Sequence, residues 1–378
     1  MSSRRQATSL FVDLLRPEIR NLPAYNSGLS AEFVRARYGV EHVAKLGSNE
    51  NPWGTSQAVL DAIAMAVKDA ALYPEPSSDQ LREELAARLG IAPARLAFGN
   101  GSEDLIAVCA QAFLAPGDEM VTIAPSFGLH PIYAQAAGAT VRAVRVRDDY
   151  SIDVPAILDA LTPRTRMLMF SAPSNPTGTT ISAAELCAIL SALDVGTLLI
   201  LDEAYFEYAS AAPGYESFLQ VLNASSASWI LLRTFSKAYG LAGLRVGYGI
   251  ASDPPLIDII DRVRTPFNVN RLAQAGALAG VEEVAFVRDC VAKTIAERER
   301  IAAELARVGY PTAPSVANFL FFDAREDANA FSQRLLEAGV IVKPWREPGF
   351  ATHIRVSIGS PRSNDQFLAA VSNRRSST

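Results

Sequence analysis

Between residues 46 and 270, short apolar runs alternate with longer stretches whose apolar residues recur at helical spacing. Short apolar runs bounded by turn residues read as buried strands, and their alternation with Ala- and Leu-rich helices marks an α/β unit with a mostly parallel sheet. Seven runs predict strands at Arg95–Phe98, Glu119–Ile123, Thr140–Arg145, Arg166–Phe170, Thr197–Leu201, Trp229–Leu232 and Gly247–Ile250. In such a sheet ligands gather beyond the strand ends. After residue 270 a long helical region runs to Val308, followed by a strand at Phe319–Phe322, a helix at Ala328–Ala338 and a strand at Ile354–Ile358. The expected organisation is a large α/β domain over 46–270, with a mostly parallel seven-stranded sheet sandwiched by helices, and a smaller α+β domain over 271–378. Residues 1–45 lack strong strands and are expected to fold back on the smaller domain, because their apolar content is modest for independent folding.

Composition narrows the class without changing that outline. The 378 residues are 49% hydrophobic and 20% charged, the balance of a globular enzyme rather than a disordered chain. The net charge is 35 − 40 = −5, and no basic run exceeds Arg4-Arg5 or Arg374-Arg375, so no nucleic-acid footprint is present. Cys109, Cys187 and Cys290 sit in apolar helical surroundings without a CxxC pair, which fits a reducing cytoplasm. The start is basic, but Asp13 and Arg16 interrupt its apolar stretch before a signal-peptide core forms, and no segment reaches membrane-spanning length. His42, His130 and His353 share no metal-ligand spacing, so no metal site is expected and none of the three is assigned a role.

Three stretches carry chemistry. Leu232 to Gly247, reading LRTFSKAYGLAGLRVG, follows a strand. In it Thr234 and Ser236 can donate to a phosphate, Lys237 can condense with an aldehyde, and Arg245 can grip phosphate through its planar fork. In Met169 to Gly178, MFSAPSNPTG, a strand ends in a Pro-punctuated turn that fixes Asn175. In Leu198 to Tyr205, LLILDEAY, a buried strand delivers Asp202 to its carboxyl end, either as a functional carboxylate or as a helix N-cap, with Tyr205 three residues on.

In this order the three elements resemble the fold-type I pyridoxal-5′-phosphate (PLP) aminotransferases, and specifically the histidinol-phosphate aminotransferase family, over nearly the whole chain. The resemblance implies that Lys237 holds PLP as a Schiff base and that Asp202 pairs with the pyridine nitrogen, where a nearby anion favours the protonated ring and makes it an electron sink. It implies that Asn175 and Tyr205 hydrogen-bond the cofactor's phenolic oxygen. Gly99 to Leu105, GNGSEDL, resembles the family's phosphate loop, which brings in Gly101, Ser102 and Glu103; Ser102 can alternatively cap the helix that follows. Phe127, in PSFG, matches the ring that stacks on the cofactor, where tyrosine is common. Tyr73, in LYPE, matches a tyrosine that reaches the PLP phosphate of the neighbouring subunit, which implies a homodimer; otherwise it only punctuates a helix end before proline.

For the substrate, Arg355 in HIRVSIG lies opposite Ile354, Val356 and Ile358 on an alternating strand and matches the family's arginine for a substrate carboxylate or phosphate. Tyr25 matches a substrate-contacting tyrosine. The chain departs from its relatives at Lys343, where many have arginine; a lysine is a point charge and cannot fork a phosphate. The implied reaction is a ping-pong exchange of histidinol phosphate with 2-oxoglutarate in histidine biosynthesis. In it the amino donor displaces Lys237, whose freed amine moves a proton between the substrate α-carbon and C4′ of the cofactor. The alternatives are an aromatic-amino-acid aminotransferase and a PLP decarboxylase resembling threonine-phosphate decarboxylase. A PLP-sensing regulator would need a DNA-binding segment, and no winged-helix pattern precedes residue 45.

Overall fold

Side-chain alternation along the central strands sets the architecture of the computed structural model, which describes residues 14–372. After a two-residue strand β1 (Ala44–Lys45) come the seven strands of the large sheet. These are β2 (Leu96–Gly99), β3 (Glu119–Ala124), β4 (Thr140–Arg145), β5 (Thr165–Ser171), β6 (Leu198–Asp202), β7 (Trp229–Thr234) and β8 (Gly247–Ala251). Their order is β2-β8-β7-β6-β5-β3-β4, and only β8 runs against its neighbours. Leu199, Leu201 and Leu231 feed one core, while Leu198, Ile200 and Ile230 feed another on the opposite face. A strand apolar on both faces must be covered on both, which is why helices flank this sheet on either side.

A second set of strands is smaller. β9 (Phe319–Asp323), β11 (Lys343–Pro344) and β12 (His353–Ser357) form an antiparallel sheet of order β11-β12-β9, and β10 (Val340–Ile341) pairs in parallel with β1. Leu320, Phe322, Ile354 and Val356 share a core with Ile301 and Leu305 of the helix Val284–Arg307, Phe331 of Ala328–Glu337 and Phe367 of Pro361–Ser372. The helix Ala31–Tyr38, capped by the Ser30 side chain, packs Val34 against Leu336 and Ile341. Among the described residues no helix is long and apolar enough to cross a membrane.

All seven predicted large-sheet strands are present, and several extend past the expected end. β6 continues into Asp202, paired with both Ser171 and Leu232, and β7 continues into Thr234, paired with Gly247. An apolar-run criterion stops at the first polar residue, whereas the backbone ladder does not. The short strands β1, β10 and β11 had no periodic signal to reveal them.

The buried ion pair of the large sheet is Arg233 with Glu203, at 2.8 Å, both side chains almost fully enclosed. Tyr215 Oη donates to Glu203 Oε1 at 3.1 Å, and the guanidinium lies 3.4 Å from the Phe206 ring centre. Arg233→Met should therefore cost about 3–5 kcal/mol, because it strands the Glu203 carboxylate. An unchanged denaturation midpoint in the variant would show that the pair contributes nothing.

Candidate active site

Alternation on β6 places Asp202 on the face of Leu198 and Ile200, where the helix Leu129–Ala136 packs. Its Oδ1 accepts from the Ala204 N–H at 3.0 Å, and Oδ2 lies 3.4 Å from Nε2 of the fully buried His130. Asp202 is not a helix N-cap, since the next helix, Phe206–Ala209, starts after Tyr205. On β7 the same logic sends Arg233 to one face and Thr234 to the other. The Thr234 hydroxyl donates to Ser236 Oγ at 3.0 Å and accepts from the Ser236 N–H at 3.1 Å.

Arg245 reaches toward this pair, with Nη1 3.5 Å from Ser236 Oγ, and toward the helix Ser102–Phe113, with Nη2 3.4 Å from Asn100 O and 3.5 Å from Glu103. Glycine is required on both sides of this contact. A Cβ on Gly101 would sit 2.5 Å from Arg245 Nη2, and one on Gly247 would sit 2.3 Å from the Ser102 nitrogen. Gly101 is the N-cap, so Ser102 opens the helix rather than capping it. Thr234, Ser236, Arg245 and the free N–H groups at this helix start form a donor set that could hold a phosphate.

Lys237 Nζ donates to Ser48 O at 3.3 Å and lies 5.8 Å from the Tyr205 ring centre. Burial, and then the Arg355 charge, push its pKa down to about 8. Burial pushes the Tyr205 phenol up to about 12, so its hydroxyl keeps its hydrogen, while Asn49 Nδ2 donates to it at 2.9 Å. Asn49 is fixed in turn by Ser357, which accepts from its N–H at 2.8 Å and donates to its Oδ1 at 2.7 Å.

On β12, Ile354 and Val356 enter the core, so Arg355 turns toward the large sheet. Nη1 donates to Asn175 Oδ1 at 2.7 Å and Nη2 to Gly47 O at 2.5 Å, while Nε is buried without a partner. Directly across the strand pair stands Lys343, which donates to Asn26 O and lies 5.7 Å from the Tyr25 ring centre. Burial and then Arg355 depress the Lys343 pKa to about 8. Tyr25 meets Phe127 edge to face at 6.1 Å.

These groups line one cleft of about 410 Å³. Of the residues singled out from sequence, all except Gly101 and Tyr73 lie on its wall. Gly101 stands behind Arg245; Tyr73 is 77% exposed and stacks on Phe267 at 4.7 Å, outside the cleft. Sequence reasoning passed over Ser48, Asn49, His130 and Glu347. The polar run Gly47 to Asn51 after an apolar strand end was a usable signal for the first two. His130, three positions after Phe127, carries no spacing signal in the sequence, because its partner Asp202 is distant along the chain.

The family described as aminotransferase class I and II matches residues 41–371. A histidinol-phosphate aminotransferase of Mesorhizobium japonicum is 48% identical, covering 95% of this chain and 98% of its own. One from Rhizobium meliloti is 49% identical, covering 94% and 96%. The crystal structure of histidinol-phosphate aminotransferase from Sinorhizobium meliloti in complex with pyridoxal-5′-phosphate superposes with a TM-score of 0.88 at 29% identity, covering 96% of this chain and 98% of that one. Fold and site together define a PLP-dependent aminotransferase. The chain belongs to the class I and II aminotransferases and, within them, to the histidinol-phosphate aminotransferase family.

The electrostatics of the cleft can be read on Lys237. A neighbouring cation disfavours the ammonium, so removing it raises the pKa. In cofactor-free protein, Arg355→Leu should move the midpoint for reaction of Lys237 with an aldehyde reagent upward from about 8, while burial keeps it below 10.5. An unmoved midpoint would mean that Arg355 does not act on the lysine.

Proposed function

We propose that this enzyme transfers the amino group of histidinol phosphate to 2-oxoglutarate, in histidine biosynthesis, as a cytoplasmic homodimer. The observation that carries the substrate assignment is the pairing of Arg355 with Lys343 across β11 and β12, beside the Tyr25–Phe127 edge. Two cations next to an aromatic slot suit a flat ring on a carbon skeleton that ends in an anion.

In this reading Thr234, Ser236, Arg245 and the loop Gly101–Glu103 hold the PLP phosphate. Phe127 would stack on the ring, Asp202 would face its nitrogen, and Asn175 and Tyr205 would hydrogen-bond its phenolic oxygen. When bound, PLP supplies the electron sink that stabilises negative charge on the substrate α-carbon. Lys237 would anchor the cofactor and, once released, would take up and return the proton of the substrate α-carbon; a pKa near 8 suits an amine that must both lose and accept a proton near neutral pH. Arg355, rigid because Asn175 and Gly47 fix both of its terminal nitrogens, grips the substrate phosphate or the 2-oxoglutarate carboxylate.

A panel of amino donors with 2-oxoglutarate tests the assignment, and histidinol phosphate should give the highest kcat/KM. Arg355→Lys should lower that value about ten- to a hundredfold, the equivalent of a lost charge-assisted hydrogen bond of about 1.5–3 kcal/mol. Lys343→Arg should favour histidinol phosphate over phenylalanine by restoring a fork. If phenylalanine or tyrosine is strongly preferred in every form, the enzyme is an aromatic-amino-acid aminotransferase.

Support for the homodimer comes from the exposed Tyr73 and Phe267, which stack on each other, with exposed Leu72 next in the chain. Mixing inactive Lys237→Ala chains with inactive Tyr73→Ala chains should restore activity through heterodimers. No recovery after confirmed subunit exchange would place each site within one chain.

A further inference from the structure

The loop between β11 and β12 carries a carboxyl that none of the roles above uses. Glu347 lies on the cleft wall, and its two oxygens sit 3.3 and 3.1 Å from a single donor, the Ser126 N–H. Ser126 directly precedes Phe127, so the carboxyl stands beside the aromatic slot. Although Lys343, Arg346 and Arg355 line the same cleft, the ion pairs among the described residues do not include Glu347 with any of them. The indole N–H of Trp345 stands beside the carboxyl on the protein side and helps to hold its pKa down. Two N–H donors cannot fill the lone pairs of two carboxylate oxygens, so acceptor capacity is left on a carboxyl that lines the cleft.

We propose that Glu347 is a specificity-determining residue that accepts a hydrogen bond from the ring N–H of the amino donor, selecting an imidazole over a phenyl ring. This rests on the histidinol-phosphate reading above. Burial raises the Glu347 carboxyl to about 7, against the opposing influence of Trp345 and Ser126, close to the ordinary imidazole value of about 6.5. A carboxyl and an imidazole so matched are joined by one hydrogen bond, donated by the ring N–H when the carboxyl is ionised. A phenyl ring brings no donor, and its entry would enclose the carboxyl with an unmet acceptor. A site built to bond a substrate N–H rejects an analogue lacking it more strongly than an apolar pocket rejects a change of size.

The test compares wild type, Glu347→Gln and Glu347→Leu with histidinol phosphate and with phenylalanine as donors, 2-oxoglutarate being the acceptor. In Glu347→Leu the ratio of kcat/KM for histidinol phosphate to that for phenylalanine should fall about ten- to a hundredfold, mainly through KM for histidinol phosphate. Glu347→Gln, which keeps an acceptor, should lose less. A ratio unchanged in both variants overturns the proposal, whether the two activities fall together, as loss of a loop contact to Ser126 would cause, or both persist. The substrate assignment is judged separately on the wild-type ratio. A wild type that prefers phenylalanine refutes that assignment, whereas the change of ratio on substitution still reports on Glu347.

Discussion

Positive charge enclosed without a carboxylate partner is the constraint around which this site is arranged. Lys237 donates to Ser48 O, Lys343 to Asn26 O, and Arg355 to Asn175 Oδ1 and Gly47 O, all neutral oxygens. Burying a charge on such terms is costly, and the depressed pKa values of both lysines are that cost made visible. The chain does neutralise a buried cation where nothing else needs it, as Arg233 with Glu203 shows on the opposite face of β7. For Lys237, Lys343 and Arg355 the matching anions are left for the ligands to bring, and a phosphate or carboxylate entering there meets donors already in place.

That arrangement depends on the segment from Leu46 to Asn49, which joins the two sheets. Leu46 N–H donates to Ile341 O and Leu46 O accepts from the Ser357 N–H, each at 2.8 Å, which fixes the segment to the small sheet. Its next carbonyls then face Arg355 and Lys237, and the Asn49 side chain reaches Tyr205 beyond the end of β6. Asn318 Nδ2 adds a further bond to Asn49 O at 3.0 Å. A displacement of one sheet against the other is therefore felt at the lysine, the arginine and the phenol together.

Much of this was legible in the sequence, for identifiable reasons. The central large-sheet strands are apolar on both faces and stand out as runs; the candidate residue Asp202 falls where its run meets its first polar side chain, and Thr234 one residue beyond Arg233, the first polar side chain of its own. Arg355 could be oriented from the alternation of Ile354 and Val356 alone. What stayed hidden were contacts between residues far apart in the chain. His130 meets Asp202, Asn49 meets Tyr205, and Glu347 meets Ser126 only after folding, and no local pattern joins one partner to the other. The two-residue strands β10 and β11 carry too few residues for any period, yet β11 is what sets Lys343 opposite Arg355.

Every role given to these residues requires that the cleft hold the cofactor through Lys237. Borohydride reduction of the PLP-loaded protein, followed by peptide mapping, tests it most directly. Stable attachment of the cofactor to Lys237 alone is expected. Attachment to Lys343 or to any other lysine, with Lys237 recovered unmodified, would contradict it.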